Sequence, residues 1–155
     1  MDKPALAAAL RALLEERLSA LQAGQSAARD GTRVDGSHRP VNRGERAAVT
    51  SQGYLALGLA ERAAVLRADL ELLDQVDLGP AQEVRPGARV TLVCEAGEVE
   101  RLLVLPGGQG DVIEGVTIIS PRAPLARSLA GLEVGASVTV QRGGRSVDLE
   151  VEAVD

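Results

Sequence analysis

The residues from Arg29 to Arg46 hold the densest mixture of groups able to bind or do chemistry. Arg29, Arg33, Arg39, Arg43 and Arg46 stand against Asp30, Asp35 and Glu45, a local excess of two positive charges beside the titratable His38. A basic stretch of this kind repels a further cation. It suits acidic side chains, RNA phosphate or a nucleotide tail, which arginine grips with a planar fork. Scattered arginines on a solvated loop would read the same way. His38 is the chain's single histidine, and with no cysteine nearby it is a poor start for a metal site. Cys94 is the lone cysteine, lies in an alternating apolar run, and has no nucleophile-activating partner in its pattern. Pro106-Gly-Gly-Gln-Gly110 is rich in glycine but lacks the Lys-Ser/Thr that a phosphate-binding loop needs, and reads as a plain loop.

Two helical stretches must position the Arg29–Arg46 segment. Pro4 to about Ala28 is dense in Ala, Leu, Arg and Glu, with Leu10, Leu14, Leu18 and Leu21 at helical spacing. Residues 30–44 break that pattern with three glycines, a proline and an asparagine, and read as a connection. From Glu45 to Val76 the helical pattern returns, with Val49, Leu55, Leu59, Leu66, Leu70 and Leu73 as its stripe. Two long amphipathic helices joined once fold back on each other, so residues 1–76 read as a helical hairpin with its tip near 30–46. Periodicity alone allows such an arm to be a probe or half of a four-helix bundle formed by two copies.

Asp77-Leu-Gly-Pro80 ends the helical region, and beyond it the apolar period changes to two. Residues 88–95, 98–105, 115–120, 137–141 and 146–154 read as strands, with Arg142-Gly-Gly-Arg145 as a hairpin turn. Pro124 to Ala130 reads as a short helix, opened by Pro124 and stopped by Gly131. Residues 77–155 therefore form a small antiparallel sheet with one helix across it, and the whole chain is α+β.

Composition narrows the functions. Residues 1–76 carry ten basic and ten acidic side chains, and residues 77–155 carry seven and twelve, so the second part holds the entire net charge of −5. An acidic domain is a poor non-specific ligand for phosphate, which disfavours a direct grip on duplex nucleic acid. Tyr54 is the only aromatic residue, so no platform for stacking bases exists; its own place on the second helix suggests packing. No apolar run approaches the length of a membrane span, and the N-terminus lacks the pattern of a secretory signal. One unpaired cysteine fits a reducing cytoplasm.

The C-terminal third carries a family resemblance. Ile118-Ile-Ser-Pro-Arg-Ala-Pro-Leu-Ala-Arg-Ser-Leu-Ala-Gly-Leu-Glu-Val-Gly135 resembles the signature of the bacterial Gre-type transcription elongation factors, with Pro124, Leu125, Ala126, Leu129, Gly131 and Gly135 on its pattern. Val84-Arg-Pro-Gly-Ala-Arg-Val90 is similar to the family's first strand, and Leu102–Gly108 to its next strand and loop. Hairpin first, β-domain second, is also the family's order. Ala123 and Ala136 stand where the family usually has Ser and Asp.

The resemblance implies an FKBP-like C-terminal domain that docks on the core of bacterial RNA polymerase beside its secondary channel, with the hairpin entering the channel. Ser120, Pro121, Arg122, Pro124 and Leu125 would form the docking patch, where the two prolines lose little side-chain entropy on fixation. Arg33, His38, Arg39 and Arg43 would make tip contacts. Nucleic acid would be met only through the elongation complex, and the protein would act in the cytoplasm as a monomer. No cofactor would be held tightly, with at most a transient Mg²⁺ in the polymerase active site.

In cleavage-stimulating members two acids in a Gly-Asp-Leu-Ser-Glu-Asn tip help hold that ion, because Mg²⁺ prefers hard oxygen ligands. If Asn42 matches the motif's Asn, the acids fall on His38 and Val41 and both are lost. Asp30, Asp35 and Glu45 remain as weak substitutes without the family's spacing. The resemblance therefore implies a modulator of elongation that cleaves poorly. Full cleavage stimulation and a polymerase-independent dimerisation adaptor stand as alternatives. An FKBP-like fold also raises prolyl isomerisation, but residues 77–155 contain no Phe, Tyr or Trp to cradle a proline.

Overall fold

The computed structural model describes residues 1–32 and 43–155. Helix α1 runs Lys3–Thr32 and helix α2 Arg43–Gln75. Asp2 opens α1: its carboxylate Oδ1 accepts from the Ala5 N–H at 2.9 Å and its carbonyl from the Leu6 N–H. That satisfies donors the first turn would otherwise leave bare. Asp30, Gly31 and Thr32 continue α1, and Arg43 and Gly44 already belong to α2, so the helices are longer than composition suggests. Adding a residue to an existing helix gains a hydrogen bond without a new nucleus, which outweighs a glycine's cost of about 1 kcal/mol.

Two compact units divide the chain, one of Met1–Ala12 with Asp69–Asp155 and one of Leu13–Ala68. The division falls within the helices rather than at Val76. In the second unit a methyl group added at Gly24 would sit 3.4 Å from Leu59 Cδ1, which sets α1 against α2 in antiparallel register. Ala28, Ala56 and Ala63 are buried there. Leu55, expected in the apolar stripe, is half exposed, and the neighbouring Ala56 is buried in its stead. In the first unit Arg11 pairs with Asp74, again antiparallel. Leu6, Leu10 and Leu73 are buried in that unit.

The β-domain carries β1 Arg89–Cys94, β2 Val99–Val104, β3 Gln109–Ile113, β4 Val116–Ile119, helix α3 Pro124–Leu129, β5 Ser137–Arg142 and β6 Arg145–Val154. The six strands lie in the order β3-β4-β2-β1-β6-β5. All neighbours are antiparallel except β2 and β4. The sheet is thus mixed, not wholly antiparallel. The cause is β3, which begins inside the stretch 106–110 expected to be a loop: the chain reverses once after β2 and again after β3, so β4 must return parallel to β2. Short and without a buried residue, β3 shows little of the apolar alternation that marks a half-buried strand.

The loop before β3 is built for close approach. A Cβ at Gly108 would lie 2.7 Å from the Ile119 carbonyl carbon and 2.9 Å from its nitrogen. Only glycine lets this turn rest on the β4 backbone. Pro106–Gly110 is accordingly a packing loop.

One sheet face packs Val90, Leu92, Leu102, Val104, Ile119, Leu149 and Val151 with Ala126 and Leu129 of α3. Leu103 and Ile118, paired in register on the opposite face, are also fully buried. Arg142 of β5 reaches Glu100 of β2 through both guanidinium nitrogens, one contact at 3.0 Å. Those strands are three apart, about 14 Å in a flat sheet, so the sheet curls around α3 to let them meet. The ion pair holds the Arg142 charge more firmly than in an ordinary arginine, by its hydrogen bond to Glu100.

Candidate functional site

The segment Ser120–Leu125 leaves the end of β4 and enters α3. The Ser120 carbonyl accepts from the Ala123 N–H at 3.0 Å and Ser120 Oγ from the Arg122 N–H at 3.2 Å, so a tight turn presents Pro121 and Arg122. Ala123 occupies the N-cap of α3 in an extended conformation and offers no side-chain oxygen. Pro124, which lacks an N–H to satisfy, follows at the first helical position. Ser128 Oγ donates to the Pro124 carbonyl at 3.1 Å. The Gly131 N–H donates to the Val84 carbonyl at 2.8 Å, and the Val84 N–H to the Leu132 carbonyl at 2.9 Å. The loop and its helix are thereby fixed at both ends.

The patch expected from the sequence divides by burial. Arg122 and Pro124 are exposed, while Ser120 and Pro121 are half-buried. Leu125 is half-buried and packs against the core under the sheet. Leu125→Asp therefore tests stability before it tests docking: loss of apolar burial and insertion of a charge are expected to cost about 2 kcal/mol, seen as a lower urea midpoint.

Arg122 has a partner that sequence reasoning missed. Its guanidinium donates to Asp69 Oδ1 at 2.8 Å, and the Asp69 side chain is only 9% exposed. Both belong to the same compact unit. A carboxylate so withdrawn from water needs its cation, and Arg122 ties the Ser120–Leu125 loop to the last turns of α2. The available signal was an acid between Leu66 and Leu73 on the apolar stripe of a helix.

Val76 to Ala88 is held with comparable care. Asp77 Oδ1 accepts from the Gly79 N–H at 2.8 Å, and Asp77 Oδ2 from Arg85 Nη2 at 3.0 Å. Arg85 also donates to the Asp77 carbonyl. Lys3, buried, donates to the Gly79 carbonyl at 2.7 Å and stands 3.5 Å from Asp155. The Gly79 N–H, and after it the Arg85 charge, hold the Asp77 carboxyl below the usual aspartate range. A depressed folded pKa stabilises the fold above the unfolded value and is lost as pH falls through the folded one. Asp77→Asn is thus expected to flatten the loss of stability on acidification, measured by urea unfolding at neutral pH and near pH 3.

Of the tip residues, Asp30 closes α1, while Arg43 and Glu45 open α2. Arg33, Asp35, His38, Arg39, Val41 and Asn42 lie outside the described residues. Among the described residues no three His, Cys, Asp or Glu side chains gather as a metal site. No helix there is long and apolar enough to cross a membrane.

The described residues thus form a helical hairpin followed by a curled six-stranded sheet closed by one short helix. Residues 79–155 match the family described as "Transcription elongation factor, GreA/GreB, C-term". The match takes in the Ser120–Leu125 loop, α3 and all six strands. By this C-terminal domain the chain belongs to the GreA/GreB family. It is 42% identical over 73 residues to transcription elongation factor GreA of Sinorhizobium medicae (strain WSM419), and equally to that of Rhizobium meliloti (strain 1021). Those matches cover 46% of this chain and 45% of each relative, less than half of their length. Among solved structures it is similar to GreA factor homolog 1 of Thermus thermophilus, with TM-score 0.42 and 16% identity over 96% of this chain and 94% of that one. It is also similar to GreA/GreB of Nitrosomonas europaea, with TM-score 0.40 and 23% identity over 49% and 63% of the two chains.

Proposed function

We propose that this protein binds the core of RNA polymerase near the secondary channel, acts there in the cytoplasm as a modulator of elongation, and stimulates transcript cleavage poorly. The observation that supports it is the GreA/GreB domain of residues 79–155 placed behind a helical hairpin. The exposed Arg122 and Pro124, on a loop fixed at both ends, are the groups of this domain best arranged to dock. They lose little freedom on binding, which favours affinity. The arm is the element that would enter the channel, and nucleic acid would be met only inside the elongation complex. No cofactor is needed for occupancy, and any Mg²⁺ involved would be the polymerase's own.

Competition measures this directly. A labelled GreA bound to core polymerase is displaced by rising concentrations of this chain, and displacement is weakened by Pro124→Asp, an exposed position. No displacement at saturating protein rules out channel binding.

A further inference from the structure

Helix α2 carries two apolar faces, and only one of them meets α1. Ala56, Ala63 and Leu66 are buried on the first. On the other side Ala47, Thr50, Tyr54, Leu57, Glu61 and Val65 recur at intervals of three and four, all of them exposed. Tyr54 is 73% exposed, Leu57 60% and Val65 54%. Nine residues along a helix is two and a half turns, so Tyr54 points directly away from Ala63. An apolar line at heptad spacing is the pattern of a helix that packs against another helix.

Glu61 is the one acid in this line, and Arg46 is the base at its flank. Neither forms a side-chain ion pair among the described residues. Fifteen residues separate them, about 22 Å along the helix, so they cannot pair within one chain. Their midpoint falls beside Tyr54. An antiparallel second copy with its two-fold axis between Gly53 and Tyr54 places Arg46 opposite the partner's Glu61, and Glu61 opposite the partner's Arg46. The same register sets Leu57 against the partner's Thr50 and brings the two tyrosines together at the axis. The apolar spacing and the charge positions thus select one arrangement, and it is self-complementary, as a two-fold interface must be.

We propose that residues 46–61 of α2 form a homodimer surface, an antiparallel helix pair centred between Gly53 and Tyr54 and closed by two reciprocal Arg46–Glu61 ion pairs. This stands apart from the polymerase reading and departs from the monomer expected from the sequence. Dimers are expected to populate at about 100 µM protein.

Sedimentation equilibrium of the full chain over a wide concentration range tests it. The expected result is a mass rising toward twice that of the chain. Tyr54→Ala should weaken association at least tenfold. Glu61→Arg and Arg46→Glu should each weaken it severalfold, and the two together should restore it. These positions are exposed, and an unchanged thermal melt verifies the fold of each variant. In a Cys94→Ser background, Tyr54→Cys should form an interchain disulfide under mild oxidation, whereas Ala68→Cys, far from the axis, should not. A monomer at every concentration, a charge-swapped double variant that fails to recover, or equal cross-linking at positions 54 and 68 would overturn the proposal. So would a monomer in solution whose Tyr54 becomes protected only on core polymerase, which would assign the face to the polymerase instead.

Discussion

A stalled, backtracked elongation complex with end-labelled RNA is expected to show little or no added cleavage on addition of this protein, while cleavage by an added GreA is inhibited. The reason is metal coordination. A weakly held Mg²⁺ in a polymerase site gains from each further carboxylate, and each 1.4 kcal/mol of lost stabilisation slows the step about tenfold. In the alignment anchored on Asn42, His38 and Val41 replace both acids of the tip. Asp30 and Glu45 lie on the closing turn of α1 and the opening turn of α2, too far apart in sequence to reproduce a spacing of three. Five arginines between residues 29 and 46 oppose a second cation. Restoring the acids as His38→Asp with Val41→Glu should raise cleavage over the parent protein. Efficient cleavage by the parent, lost on Asp35→Ala or Glu45→Ala, would contradict the proposal.

The largest stability effect should come from Gly87→Ala. Gly87 has φ +89°, and a Cβ there would stand 1.9 Å from the Asp77 carbonyl oxygen and 2.9 Å from its carbon. The obstacle is backbone, and that backbone is itself bound by Arg85. Gly87 cannot retreat either, because its N–H donates to the Val104 carbonyl at 2.7 Å. A left-handed residue with a side chain costs about 1–3 kcal/mol by conformation alone, and the clash adds to it. A loss of at least 3 kcal/mol is expected, measured by urea unfolding. Gly97→Ala, at φ +82° with open space around its Cβ, is the control that pays the conformational part only. Equal losses at the two positions would show that the packing of residues 77 and 87 contributes nothing.

The sequence by itself determined what depends on neighbours a few residues apart. The two helices, the change of period after Pro80, the Gly143-Gly144 turn and the limits of α3 all follow from local spacing and local backbone preference. The Ser120–Gly135 signature, a run of nearly contiguous residues, was legible for the same reason. Tertiary structure decided whatever depends on residues far apart in the chain. The short, largely exposed β3 has no strong period of its own, and only its pairing with β4 makes it a strand and turns the β2–β4 pair parallel. Leu125 looks like a docking contact along the chain, but folding sets it against the core. Asp69 and Arg122 are 53 residues apart and meet only when α2 and the loop after β4 share one compact unit. Gly87 and Gly108 resemble any other turn glycines until the backbones of Asp77 and Ile119 arrive beside them. Local free-energy preferences are additive along a sequence, whereas burial and close approach belong to pairs of segments that only the fold brings together.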